Sequence, residues 1–182
     1  HEHRAVRDRL AAIATAQEAD ALIVAGDVFD HQNPSGEAQR LFYEAILALK
    51  RARPGMTIVL TAGNHDSAGR LEAPQAILAP LDVRIVGNVR RKAGRIDTTR
   101  HVVPLRRANG GRAGALVLAV SHPTAACLPP LSMNGPADGP SPVVAATRAL
   151  YAELATAARA AADGAPLIVT GHLHVSGASQ SE

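Results

Sequence analysis

"VLTAGNHDSAG" (residues 59–69) decides how this chain is read. Met56 to Leu60 reads as a buried strand, with β-branched Thr57, Ile58 and Val59. It runs directly into Asn64, His65 and Asp66. A tight turn accounts for Gly63 and Asn64 but not for a histidine followed by a carboxylate. Two other apolar runs end alike. "ALIVAGDVFD" (21–30) passes through Gly26 to Asp27 and Asp30, and "PLIVTGHLH" (166–174) passes through Gly171 to His172 and His174. Short continuous apolar runs mark strands buried on both faces. Ligands of α/β sheets collect just beyond the carboxyl ends of strands. A glycine at each exit permits a close turn, so Asp27, Asn64 and His172 are expected to face one crevice. Their carboxylate, amide oxygen and imidazole form a mixed O/N set suited to divalent first-row metals such as Mn²⁺, Fe²⁺ or Zn²⁺. Singly, "GDVFD" and "GNHD" also read as ordinary turns. Their recurrence at three strand ends points to a site.

The segments between these runs supply the rest of the domain. Residues 4–19 read as a helix with Val6, Leu10, Ile13 and Ala14 on one face. Pro34 and Ser35 open a second helix, striped by Ala38, Leu41, Phe42, Ala45, Ile46 and Leu49. A short helix near Pro74 to Leu78 precedes a strand at Val83 to Val86. Residues 101–120 read as two strands joined around Asn109-Gly110-Gly111. A Pro/Gly-rich loop covers 121–142, and an Ala-rich helix covers 143–162. The order βαβα, hairpin, αβ predicts an α/β fold over 1–182, with a buried, mostly parallel sheet, added antiparallel strands and helices on the outer faces.

Composition narrows the class. With 182 residues and 47% apolar content, the chain can bury a core and is neither disordered nor membrane-like. Cys127 is the single cysteine, which excludes an internal disulfide and suits a reducing cytoplasm. Aromatics are 2% and Trp is absent, which argues against stacking of splayed bases. The net charge of +3 is unevenly spread: 84–112 carries nine basic residues and one acid, Asp97. That block suits a polyanionic partner, or it is a solvated surface.

Together these motifs resemble the calcineurin-like metallophosphoesterases, whose signature runs D-x-H, G-D-x-x-D, G-N-H-D/E, G-H and G-H-x-H. Within that family, "HEHRAVRDRL", "LIVAGDVFDHQNPSGEAQRLFYEAI", "LTAGNHDSAGRL" and "VTGHLHVSGASQSE" are similar to the nuclease subunit of the bacterial SbcCD complex, the Mre-eleven type. The resemblance implies a calcineurin-like phosphoesterase sandwich and two divalent metal ions, expected to be Mn²⁺. It implies a DNA nuclease that degrades duplex ends and cuts single strands or hairpins within a repair complex. The expected partners are DNA, an SbcC-type coiled-coil ATPase and a second copy of the chain, in the cytoplasm and without a membrane. By the same resemblance Asp27 bridges the metals, while Asn64 and His172 bind one of them. His65 is the catalytic residue that protonates the leaving oxygen or stabilises its charge. Two cations about 3.5–4 Å apart can activate a water and steady both oxygens of an in-line displacement. Asp30 is expected to fix the loop, with His31 beside the site. Asp66 either holds the His65 ring or caps the next helix.

Two departures stand against the family pattern. No D-x-H precedes Asp27, and "GHLH" with its following "GASQSE" matches the fourth motif rather than the last. The domain is therefore expected to be incomplete at both ends, and residues 1–182 alone to be inactive. On that reading His172 is a ligand and His174 a neighbour; if "GHLH" is the final motif, both are ligands. His1, His3 and His101 are expected at the surface or beside the site. His122, at the end of strand 115–120, is read as no ligand, because the subfamily requires no histidine there. Arg90, Arg91 and Lys92 are expected to touch phosphates without reading bases. The alternatives are a phosphodiesterase for a small molecule or cyclic nucleotide, and a non-catalytic scaffold. "DHQNPSGEAQ" and the basic block favour the nuclease, and intact Asp27, Asn64, His65 and His172 argue against the scaffold.

Overall fold

The computed structural model describes residues 2–92, 95–106, 114–132 and 139–174. Helix α1 (Glu2–Ala16) leads into β1 (Ala21–Ala25), α2 (Gly36–Ala52), β2 (Thr57–Thr61), α3 (Ala68–Glu72), α4 (Gln75–Leu78) and β3 (Val83–Val86). A two-stranded ribbon follows, β4 (Arg91–Lys92) with β5 (Arg95–Ile96). Then come β6 (Val102–Leu105), β7 (Ala115–Leu118), α5 (Pro142–Ala162) and β8 (Leu167–Val169). The first sheet is parallel in the order β1-β2-β3; in the second, β7 lies between antiparallel β6 and parallel β8.

Strand alternation builds a four-layer sandwich. On β2, Val59 faces the second sheet and meets Val103, Leu105, Val117 and Ala119. Its neighbours Ile58 and Leu60 face outward onto Ile46 and Leu49 of α2 and Leu71 of α3. Beyond the second sheet, Leu118 and Val120 pack on Leu150, Leu154 and Ala158 of α5. These are the calcineurin-like α/β layers that the motifs imply. Ser35 caps α2 by accepting the Ala38 N–H at 3.1 Å, and Ser141 caps α5 through the Val144 N–H.

Four expectations need correction. First, Val6, Leu10 and Ile13 of α1 are exposed, and only Ala14 of the expected stripe is buried. The helix turns Ala11 and Ala14 inward, whose small side chains let it lie close to α2. Second, the strand at 166–171 is not buried on both faces. It forms the edge of its sheet among the described residues, so Ile168 and Val169 are 42% and 51% exposed. Among the described residues only β2, flanked on both sides, is buried throughout, and β1 is half-buried. Third, the basic segment contains the β4–β5 ribbon and α3 precedes α4, although neither has a periodicity long enough to read. The turn Asn109-Gly110-Gly111, His1 and "GASQSE" lie outside the described residues. Fourth, His101 is 1% exposed.

His101 can be buried because the main chain supplies its partner. Its Nδ1–H donates to the Ala119 carbonyl at 2.8 Å, and the Ala119 N–H returns a bond to the His101 carbonyl. Burial holds the imidazole pKa below its ordinary value; the Ala119 bond opposes this and the Arg100 charge adds to it. The unfolded histidine titrates near ~6.5, so below that pH the unfolded chain takes up a proton that the folded ring refuses. The contribution of His101 to stability is therefore full above about pH 6.5 and declines as pH falls beneath it. Denaturant unfolding between neutral and mildly acidic pH should show that decline. His101→Asn, which can keep the Ala119 bond but does not titrate, should flatten it.

Candidate metal centre

Parallel register sets the site. Ala25 of β1 pairs with Thr61 of β2, so both chains leave the sheet side by side. Gly26 (φ +96°) and Asp27 (φ +46°) turn at once in the left-handed region, a conformation that is strained for an aspartate. The turn carries Asp27 against Gly63, where an added Cβ would lie 2.0 Å from Asp27 Oδ1. On the second sheet, β8 leaves in the same direction as β7 and brings His172 over Gly26. A Cβ on Gly26 would lie 2.1 Å from His172 Nδ1. The two glycines are thus required by close approach.

The three expected ligands come together. His172 Nδ1 lies 3.1 Å from the Ala25 carbonyl, which can only accept, so Nδ1 carries a proton and the neutral ring presents its lone pair on Nε2. Nε2 stands 2.9 Å from Asn64 Oδ1 and 3.3 Å from Asp27 Oδ2. In the neutral ring, three acceptor atoms therefore face one another, and either a proton on Nε2 or a cation bound by all three holds them together. Donors held about 2.1 Å from an octahedral ion stand about 3.0 Å apart at neighbouring positions, which matches the observed spacing. A ligating histidine whose other ring nitrogen donates to a main-chain carbonyl is the usual arrangement at metal sites. Among the described residues no three His, Cys, Asp or Glu side chains cluster as a shell; the third donor of this set is the amide of Asn64.

Asp66 does neither of the things expected of it. Its buried carboxylate accepts the Gly63 N–H at 2.8 Å and the Val28 N–H at 3.0 Å on Oδ2, and the Phe29 N–H at 2.9 Å on Oδ1. It ties the "GDVFD" loop to the "GNHD" loop. Nor does it cap α3, whose capping position is Ser67. Asp30, not Asp66, stands near the catalytic candidate: Asp30 Oδ1 is 4.0 Å from His65 Nδ1, and its Oδ2 is 3.2 Å from His31 Nδ1. His65 is 52% exposed at the mouth of the site, and its N–H donates to Asp27 Oδ1 at 3.1 Å. His174 is exposed. His122, set aside on sequence grounds, sits against His172 with ring centroids 6.0 Å apart.

The basic segment is partly neutralised. Arg90 pairs with buried Glu72 at 2.8 Å, Arg100 joins the same carboxylate, and Arg91 lies 3.4 Å from Glu153. The Lys92 side chain lies outside the described residues. A cleft of about 600 Å³ opens between the edges of β3 and β6, lined by Arg84, Arg100 and Arg106 with Thr99 and Asp82; it contains none of the ligand set.

A family model described as calcineurin-like phosphoesterase matches residues 1–176. This chain belongs to that family. Members of the family use divalent metal ions, and the donor set of this chain fits them. The chain is 47% identical to the SbcD subunit of the SbcCD nuclease of Rhodobacter capsulatus over 99% of its own length and 44% of that protein's. Against the corresponding SbcCD nuclease component of Escherichia coli it is 32% identical, covering 43% of that protein. A shorter stretch of 58 residues is 43% identical to the DNA double-strand break repair protein Mre11 of Methanopyrus kandleri. The chain thus spans less than half the length of these relatives. Among its described residues no helix is long and apolar enough to cross a membrane.

The close contact at Gly26 gives a direct check. Gly26→Ala should displace His172 and weaken Mn²⁺ binding by about tenfold or more. The left-handed backbone adds a stability cost of about 1–3 kcal/mol. Calorimetric titration with Mn²⁺ and denaturant unfolding measure the two. Unchanged metal affinity would separate His172 from the site.

Proposed function

We propose that this chain carries the catalytic core of a metal-dependent DNA nuclease of the SbcCD type, hydrolysing phosphodiesters at a two-metal centre. The observation that carries the reading is the convergence of His172 Nε2, Asn64 Oδ1 and Asp27 Oδ2. On this reading Asp27 bridges two divalent ions, with Mn²⁺ the proposed identity, and Asn64 and His172 bind one of them. Bound metals would supply an activated water and charge stabilisation for both reacting oxygens.

His65 would serve the leaving group. Its main chain is anchored to Asp27 Oδ1, which sets the imidazole beside the metal ligands. With Nδ1 turned toward Asp30, Nε2 is the nitrogen left to hand a proton to the departing oxygen. His31 and Asp30 would steady that orientation from the exposed side. DNA would meet the chain through charge rather than through base contacts. Arg90, Arg91 and Lys92 are proposed to touch phosphates. Arg90 keeps guanidinium N–H groups beyond the one spent on Glu72, since a guanidinium has five. The cleft at Arg84, Arg100 and Arg106 extends the same positive surface. The partners proposed for the whole protein are an SbcC-type coiled-coil ATPase and a second copy of the chain, in the cytoplasm.

In the full-length protein, His65→Ala should lower hairpin and duplex-end cleavage by about 10²–10⁴-fold and leave bound Mn²⁺ nearly unchanged. Asp27→Ala and His172→Ala should lose both metal and cleavage. His174→Ala should retain metal and about a tenth or more of the activity, a barrier change of about 1.4 kcal/mol or less. Metal content by elemental analysis beside cleavage assays separates these outcomes. Loss of metal from His65→Ala would overturn its assigned role, and equal losses at His172 and His174 would make both ligands.

A further inference from the structure

We infer that His122 is a positioning residue for the metal centre: it holds the main chain of His172 against the exit of β2, so that the imidazole of His172 meets Asn64 and Asp27. The inference rests on the metal-centre reading proposed above. His122 lies just past β7, where the two sheets meet. Its N–H donates to the Ala62 carbonyl at 2.8 Å, two residues before Asn64. Its Nδ1 lies 3.0 Å from the carbonyl oxygen of His172. That oxygen can only accept, so His122 Nδ1 is the protonated nitrogen. One residue therefore joins both ligand-bearing loops, one through its main chain and the other through its ring.

The tie is needed because the strand ladder stops short of the ligand. Pairing of β7 with β8 ends at Leu118 and Val169. Thr170 continues it by one step, with its N–H on the Leu118 carbonyl at 3.0 Å and its Oγ1 accepting the Val120 N–H at 2.8 Å. Gly171 comes next and has no side chain with which to anchor the peptide that follows. The His122 bond fixes the carbonyl on the far side of His172. The ligand is thus bracketed by Thr170 before it and by His122 at its own carbonyl. The two imidazoles act in series: His122 holds the His172 carbonyl, and His172 Nδ1 holds the Ala25 carbonyl. The rings meet edge to face at 81°, which also limits how far His172 can swing.

A partner one step removed from the ligand typically changes metal affinity by about 10–100-fold when removed, and His122→Ala in the full-length protein should weaken Mn²⁺ binding by about that factor. The number of sites and the melting temperature of the metal-free protein should stay as in the wild type. Asn places an amide N–H where the imidazole Nδ1–H lies, so His122→Asn should recover most of the affinity. Titration calorimetry with Mn²⁺ alone and thermal unfolding in chelator read these quantities. If the wild type binds Mn²⁺ and His122→Ala binds it equally well, the inference fails by itself. If both substitutions lose one equivalent of metal, His122 is a ligand and the positioning role is wrong. A drop in metal-free melting temperature in both variants, without rescue by Asn, would reduce it to a packing residue. A wild type that binds no Mn²⁺ would overturn the metal-centre reading and the inference with it.

Discussion

The carboxylate of Asp66 is the contact on which the site depends. It takes three main-chain N–H groups, from Gly63 in its own loop and from Val28 and Phe29 in the loop after β1. Hydrogen bonds to a charged group contribute about 1.5–3 kcal/mol each, and leaving a buried donor unmet costs about as much. The effect of Asp66 is geometric as well. With both loops drawn onto one carboxylate, Asp27 is pressed into the space above Gly63 and held in a left-handed conformation it would not choose alone. The strain at Asp27 is offset by the three bonds at Asp66.

From this clamp the remaining residues of the proposed centre follow by packing. The first sheet delivers Asp27 and Asn64 as neighbours because β1 and β2 are parallel and in register. The second sheet delivers His172 because β8 runs parallel to β7 and leaves at the same end. The faces of the two sheets are fixed together by Val59, Val86, Val103 and Val117. The site sits where the ends of both sheets converge, so its precision is that of the sandwich core rather than that of any one loop. Gly26 then sets how near the imidazole can come.

The sequence pattern exposes the proposed triad of Asp27, Asn64 and His172 because each lies a few residues beyond an apolar run, and strand exits in α/β folds share one end. Other features were hidden for identifiable reasons. Helical periodicity marks Val6, Leu10 and Ile13 as a face but does not say that α1 turns its alanines inward instead. A continuous apolar run marks β8 as a strand but not as an edge. The partners of Asp66 lie up to 38 positions away as main-chain N–H groups, which no side-chain pattern records. His101 shows the same limit: its burial depends on the Ala119 carbonyl, a group every residue carries. Residues with chemistry aimed at other side chains were legible, as was the local cap at Ser35, whereas long-range chemistry aimed at the backbone was not.

Amide hydrogen exchange, followed residue by residue in the wild type and in Asp66→Ala, tests the clamp most directly. With Asp66 holding the loops, the Val28, Phe29 and Gly63 amides should be protected in the wild type. In the variant they should exchange much faster, while the amides of Ile58 and Leu60 in β2 keep their protection. Equal protection of the three loop amides in both proteins would show that something other than Asp66 holds the two loops together.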